Sequence, residues 1–390
     1  MSGMIFEKAH VFYSPNKVIF GPNTVKGVGN EALQLGAKKP LIITDPGVVQ
    51  AKLIDPVKAS LEAAKVPFAV YDRVKPEPPV ACVEEAVGKL KIENCDLVIG
   101  VGGGSSMDVA KAVSLKATND MGVLEMCGLD LVKRRGLPKI LIPTTSGTGS
   151  EITRVSVLID EKQNVKTVIS SLYTLADVAI VDPLLTVTVP PRVTADTGMD
   201  ALVHAIETFV ATTATPFSNI LAERAIEWIA QYLPVAFAKG SNLEARYHLS
   251  LGSTVAGMAF ASGGLGAVHA LAYPVGTEFH LPHGRSNSIM LPHVMRYNLC
   301  GNPEQYGMIA NLMGKDVEGL AAMEAAELSV EAVEELLSTV KISYHLRDYG
   351  VTEKDIPKLV EGGMKFARLF TLNPRDLTEQ DVRSLYEEAY

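Results

Sequence analysis

Asp200 and His204 lie four positions apart in Ala195 to Ala211, a stretch whose apolar residues recur with helical spacing, so the two side chains share one helix face. His269 falls in a second such stretch, Gly266 to Thr277. His283 sits in Leu281-Pro-His-Gly284, at a turn before a third, Ser286 to Tyr297. One carboxylate and three imidazoles suit a borderline divalent ion, Fe(II) or Zn(II), and do not suit Ca or Mg. A single histidine on an apolar helix face is more often a satisfied core residue than a ligand. The Asp200/His204 pair strengthens the ligand reading without deciding it. His10, His248, His280, His293 and His345 have no such partner pattern, and His280, though near His283, is read as no ligand.

Two glycine-rich turns suggest a second chemistry. Gly100-Val-Gly-Gly-Gly-Ser-Ser-Met-Asp108 follows an apolar run and opens a helical one. Glycines let backbone N–H groups approach phosphate oxygens without a Cβ in the way, and a helix N-terminus adds partial positive charge. A pyrophosphate fits that description. The dinucleotide fingerprint GxGxxG is incomplete, because Ser105 stands where its last glycine belongs, and a plain strand-to-helix connection explains the turn as well. The second turn, Pro143-Thr-Thr-Ser-Gly-Thr-Gly-Ser-Glu151, is rich in hydroxyl donors. Taken alone it reads as capping and loop chemistry. Two such turns at the ends of neighbouring strands point instead to a ligand outside the carboxyl ends of a parallel sheet. A ribose acceptor would be Asp45, directly after the first apolar run, or Asp120, by spacing from the glycines; residue types alone leave both open.

These residues need elements to hold them. Apolar runs at Pro40 to Thr44, Phe68 to Tyr71, Asp96 to Val101 and Lys139 to Pro143 alternate with helical stretches at Ala51 to Ala64, Ala81 to Leu90 and Ser106 to Ala117. That alternation predicts a parallel sheet covered on both faces. Arg154 to Ile159 and Lys166 to Ser170, joined by the polar Asp160 to Asn164, predict a hairpin, and Val178 to Val181 a last short strand. Beyond Pro190-Pro191 the pattern turns helical: Ala195 to Ala211, Asn219 to Leu233, Ala245 to Phe260, then the segments that carry His269 and His283, then a tail from Pro303 to Tyr390 rich in Ala, Glu, Leu and Lys. The fold class expected is an α/β N-terminal dinucleotide-binding domain, residues 1–189, followed by an all-α C-terminal domain for metal and substrate, residues 190–390.

Bulk properties narrow the function. The chain has 390 residues, 47% hydrophobic and 21% charged, which suits two globular cores. Its net charge of -8, with no basic cluster longer than Lys133-Arg134-Arg135, argues against nucleic acid as a partner. Met1 to His10 lacks the start of a signal peptide, and no uninterrupted apolar run nears the about 18 residues of a membrane span. Cys82, Cys95, Cys127 and Cys300 are scattered, as in a reducing compartment. A cytoplasmic location is expected.

With these motifs in this order, the sequence resembles the iron-containing alcohol dehydrogenases, sometimes called group III, over nearly its whole length. The pieces that carry the resemblance are Gly102-Gly-Gly-Ser-Ser-Met-Asp108, Pro143 to Glu151, Asp200-Ala-Leu-Val-His-Ala-Ile-Glu207, and the stretch from Gly266 through His269 to Pro282-His-Gly284 and Asn287. The resemblance implies metal ligands at Asp200, His204, His269 and His283. It implies NAD(H) binding by Asp45, Gly102, Gly103, Ser105, Thr144, Thr145, Ser146, Thr148 and Lys166, which favours Asp45 over Asp120 and NAD over NADP. It implies Fe(II), with Zn(II) accepted by the same ligands, and a homodimer or larger homo-oligomer. One departure matters: many members carry a histidine four residues after the third ligand, thought to position the nicotinamide or relay the proton, and here that position is Tyr273. A tyrosine, with an ordinary pKa of about 10, is a poorer base at neutral pH.

The reaction expected is hydride transfer between NAD(H) and a small primary alcohol or aldehyde, with the metal as Lewis acid. Arg285, beside His283, and Arg154 are candidates to pair with an anionic substrate, a carboxylated or sulfonated aldehyde. Two other readings compete. A dehydroquinate synthase-like lyase would need several Lys and Arg for a phosphorylated substrate, and the relevant segments are poor in them. A non-enzymatic NAD-binding protein would not need the whole metal quartet.

Overall fold

A computed structural model describes residues 9–163 and 165–390. The N-terminal segment read for a leader, up to residue 8, and Asn164 in the expected hairpin link lie outside the described residues. The chain divides into two compact units: Tyr13–Val189, and Pro190–Tyr390 with the described residues that precede Tyr13.

The first unit runs β1 (Lys17–Phe20), α1 (Val28–Gln34), β2 (Pro40–Ile43), α2 (Pro46–Gln50), α3 (Asp55–Ala63), β3 (Ala69–Tyr71), α4 (Val80–Ile92), β4 (Leu97–Gly102), α5 (Gly104–Lys116), β5 (Gly128–Leu129), β6 (Lys139–Pro143), β7 (Val155–Asp160), β8 (Val165–Ser170) and β9 (Val178–Val181). The short unbroken apolar runs form a six-stranded parallel sheet in the order β1-β9-β6-β4-β2-β3. The pleat turns Ile42, Ile99, Val101, Ile140 and Ile142 toward a core shared with Val28, Ala32, Val57 and Leu61. The intervening Leu41, Val98 and Leu141 face the other way and are just as buried, with α5 packed on β4 and β6. Burial on both faces is why these strands are continuously apolar rather than alternating.

From β2 the chain steps to β3 on one side and then to β4 on the other, so the strand order reverses between β2 and β4. Ligands bind parallel sheets outside the carboxyl ends at such a reversal. The register sharpens the point. Ile43 pairs with Gly100, and Gly102 with Pro143, so Asp45, Gly102 and the start of the second glycine turn emerge level with one another. The expected hairpin is present as antiparallel β7 and β8, and β5 joins β8 in parallel to complete a separate three-stranded sheet.

Two details depart from the sequence reading. The helix expected over Ala51 to Ala64 is α3 and starts only at Asp55; a short helix not anticipated, α2, precedes it, with Lys52 at φ +59° between the two. Pro56 explains the late start, since it lacks the N–H that a helix begun at Ala51 would need there and fits only in a first turn. The edge strand β1 and the two-residue β5 carried too little pattern to be read in advance.

The second unit is helical: α6 (Pro191–Val210), α7 (Pro216–Ala238), α8 (Leu243–Gly263), α9 (Ala267–Phe279), α10 (His283–Asn298), α11 (Pro303–Leu312), α12 (Ala322–Thr339), α13 (Ile356–Met364) and α14 (Glu379–Ala389). Helix α6 packs against α7, α8 and α10, and every residue from Gly198 to Val210 is buried. A helix buried all round has no solvent face to carry polar residues, so each polar residue on it needs a reason. Asp200, His204 and Glu207 are its ionisable residues in that span. Among the described residues no single helix is long and apolar enough to cross a membrane; the bent pair α8 and α9, at 111°, passes by length and composition only, and both helices belong to this core.

Candidate metal centre and dinucleotide site

Asp200 projects from α6, His269 from the first turn of α9 and His283 from the first position of α10. The carboxylate oxygen and one nitrogen of each imidazole all lie within 4.8 Å of one another. Close helix packing brings them there. A Cβ on Gly284 would stand 2.1 Å from the Asp196 carbonyl oxygen and 3.0 Å from the Asp200 Cβ, so only glycine lets the start of α10 approach α6 this closely. His204, one turn beyond Asp200, has its ring stacked between Phe260, at 4.5 Å, and His269, at 4.9 Å. The structure therefore converges three of the four expected ligands and places the fourth against them.

The neighbours of these residues are polar and specific. Burial alone would raise the Asp200 carboxyl. The imidazoles of His204, His283 and His269 and the Asn287 amide outweigh it and hold the carboxyl below the usual range. Asn287 Nδ2 donates to Asp200 Oδ1 at 2.7 Å and lies 3.1 Å from His269 Nε2 and 3.3 Å from His283 Nε2. Glu207 Oε2 lies 2.5 Å from His269 Nδ1, and its Oε1 accepts from the Val268 N–H at 2.6 Å. Sequence reasoning assigned no role to Asn287 or Glu207, although both lie inside the motifs it quoted. Their types and their spacing to the ligands were the available signal.

The donor set fits a divalent transition ion. Ligand distances of about 2.0–2.2 Å put the donors of a tetrahedral ion about 3.3–3.6 Å apart, so the three atoms must draw inward to close on one. The cluster is also open on one side. The His269 side chain is 1% exposed, that of His283 30%. Tyr273 stacks on His283 at 5.5 Å and 11°, and Phe366 packs on Tyr273 at 4.7 Å. Burial, then the carboxylates of Glu207 and Asp200, push the Tyr273 phenol far above its ordinary value, so it stays neutral.

The two arginines considered for an anionic substrate are committed to carboxylates. Arg285 Nε donates to Asp196 Oδ1 at 2.5 Å in a buried pair, and its Nη1 reaches the Tyr349 hydroxyl at 3.5 Å. Arg154 Nη2 reaches both oxygens of Asp130 at 3.1 Å and lies over the Tyr13 ring. Of the other histidines, His248 packs among Trp228, Tyr232 and Tyr247, His293 donates to the Tyr344 carbonyl, and His280 ends α9 in the left-handed region.

In the Tyr13–Val189 unit the glycine turns meet as the register dictates. Gly102 has φ +148°, and a Cβ there would stand 2.7 Å from Ser106 Oγ and 3.1 Å from Asp45 Oδ2. Asp45 caps α2, its Oδ1 accepting from the Val48 N–H at 3.0 Å, while Oδ2 accepts from Ser106 Oγ at 3.0 Å. Each carboxylate oxygen has two acceptor sites, so capping leaves capacity for a ribose. Asp120 lies exposed beyond the C-terminal end of α5, the far end from the glycine turn. The Thr144 N–H donates to the Gly102 carbonyl at 3.0 Å, and Thr148 reaches to within 2.9 Å of where a Gly104 Cβ would be, so the turns abut. Gly103 and Ser105 flank this contact, Thr145 faces Gly103, and Ser146 is buried in the second turn. Behind them, Lys111 Nζ donates to Ser150 Oγ at 2.9 Å and Ser150 to Asp108 Oδ1 at 2.6 Å, which pins the second turn to α5. Lys166 pairs with Glu77 at 2.6 Å.

Comparison with known proteins identifies the family. The profile described as iron-containing alcohol dehydrogenase matches residues 15–183, and that of the Fe-containing alcohol dehydrogenase family, C-terminal, matches 194–390. The chain belongs to the iron-containing alcohol dehydrogenase family. Long-chain-alcohol dehydrogenase 1 of Geobacillus thermodenitrificans is 43% identical, the match covering 96% of each chain. A 1,3-propanediol dehydrogenase of Klebsiella pneumoniae is 39% identical over 96% of this chain and 97% of that one. A crystal structure of 1,3-propanediol oxidoreductase superposes with a TM-score of 0.96 at 39% identity, covering 98% of this chain and 100% of the other. The chain is an NAD-dependent alcohol and aldehyde oxidoreductase of a family that uses iron.

Proposed function

We propose that the enzyme interconverts a small, uncharged primary alcohol and its aldehyde, with Fe(II) held by Asp200, His204, His269 and His283. The convergence of Asp200, His269 and His283 within 4.8 Å carries this reading. His204, whose ring lies against His269, would supply the fourth donor. An ion held there supplies Lewis acidity to an alcohol or carbonyl oxygen, and the nicotinamide gives or takes the hydride. The two glycine turns receive the pyrophosphate, their hydroxyls and α5 N–H groups donating to it. Asp45 accepts from the ribose and repels a 2′-phosphate, which favours NAD(H).

Tyr273 packs against the centre and does not serve as a base. Its phenol keeps its proton, and its ring stacks on His283 with Phe366 packed behind it. Arg285 and Arg154, engaged by Asp196 and Asp130, supply no free cation for an anionic substrate. These two pairings favour a neutral substrate over the anionic one. The test is metal binding: Asp200→Ala and His269→Ala should each lose Fe(II) while keeping NAD+ affinity, and Fe(II) bound as tightly as in the wild type would refute the ligand set.

A further inference from the structure

Glu207 is a buried carboxylate on α6, about two turns beyond Asp200 and so on the same face. Its two oxygens are occupied differently. Oε1 accepts from the Val268 N–H at 2.6 Å, one of the first-turn donors of α9 that has no partner within its own helix. That bond fixes the carboxylate and leaves Oε2 against His269 Nδ1, at 2.5 Å. The other ring nitrogen, Nε2, is the one that faces Asn287 and the remaining donors.

We propose that Glu207 is the positioning residue of the metal centre: by accepting the Nδ1 proton it holds His269 in the neutral tautomer whose Nε2 lone pair is free for the ion. The inference rests on the reading of His269 as a ligand. A carboxylate suits this role because both of its atoms accept, one for the backbone and one for the ring. Glutamine has the same shape but cannot do both. With its oxygen on the Val268 N–H, its NH2 faces Nδ1, and the ring proton must move to Nε2, where it blocks the lone pair. In the reverse orientation, NH2 and N–H donors meet head to head in a buried site.

The experiment compares wild type, Glu207→Gln and His269→Ala by Fe(II) affinity, in anaerobic competition with a chromophoric chelator. In parallel, the tautomer of His269 is read from long-range 1H–15N spectra of metal-free, histidine-labelled protein. Wild type should show Nδ1–H. Glu207→Gln should show Nε2–H or a mixture and bind Fe(II) about 10–100-fold more weakly, with unchanged circular dichroism and NAD+ affinity. Fe(II) affinity and tautomer in Glu207→Gln equal to wild type, with His269→Ala still losing the metal, would overturn the proposal and leave the ligand set intact. Fe(II) bound normally by His269→Ala would remove the ligand reading and this proposal together. Wild-type His269 found as Nε2–H overturns the proposal without any variant, so a poorly folding Glu207→Gln cannot shelter it.

Discussion

The side-chain nitrogen of Asn287 donates to Asp200 Oδ1 at 2.7 Å while lying within 3.3 Å of the ring nitrogens of His269 and His283. A donor amide thus stands among three acceptors, where a cation would satisfy them better. Its own oxygen is buried with no hydrogen-bond partner among the described residues. An ion held by Asp200, His269 and His283 would take over the partnering of the Asp200 carboxylate that the amide now supplies. Asn287→Ala should therefore destabilise the metal-free protein by about 1–3 kcal/mol, because a buried carboxylate loses a donor. The deficit should shrink once Fe(II) is bound. Thermal unfolding with and without the metal checks this, and an equal deficit in both states contradicts it.

Gly284 governs how closely α10 approaches α6. Gly284→Ala sets a Cβ 2.1 Å from the Asp196 carbonyl, and the start of α10, with His283, must move outward. Overpacking of this kind costs about 1–3 kcal/mol. Fe(II) affinity should fall while NAD+ affinity stays unchanged, because the glycine turns lie in the other unit. Calorimetric titration of each ligand separates the two, and retained Fe(II) affinity would mean that His283 is not placed by this contact.

As the proposed ribose acceptor, Asp45 should set cofactor choice. Asp45→Ala removes both the ribose acceptor and the charge that repels a 2′-phosphate, so the ratio of kcat/KM for NADH over NADPH should fall at least about tenfold, for a change near 1.4 kcal/mol. The same substitution uncaps α2 and should lower the Tm modestly. An unchanged cofactor ratio would move the ribose contact elsewhere.

Much of this was legible because the sheet is buried on both faces and the helices are periodic. The run Lys139 to Pro143 is a strand with the bounds the sequence gives it, and the hairpin of β7 and β8 follows from its polar link. The level emergence of Asp45 and Gly102 was not legible, because it depends on strand register, which no local pattern encodes. The fates of Arg285 and Arg154 were hidden for a related reason. Asp196 and Asp130 are distant in sequence from the arginines they bind, and an arginine beside a metal ligand looks alike whether it faces a substrate or an aspartate. Tyr273 was visible as a departure, but its stacking on His283 needed the meeting of α9 and α10.

Arg285 should prove structural. Arg285→Ala leaves Asp196 buried and unpaired, a change that costs about 3–5 kcal/mol. The preference between a neutral aldehyde and a sulfonated one should stay the same in whatever folded fraction remains. Competition between the two aldehydes reads that ratio independently of enzyme amount. A selective loss of the anionic substrate would restore Arg285 as a substrate contact.

The most direct measurement is NADH consumption by anaerobically purified protein, with and without Fe(II), against neutral and anionic aldehydes of matched length. The account predicts turnover that requires the metal and favours the neutral aldehydes, with the reverse reaction on the matching primary alcohols. Equal turnover after complete metal removal, or activity confined to anionic aldehydes, would contradict it.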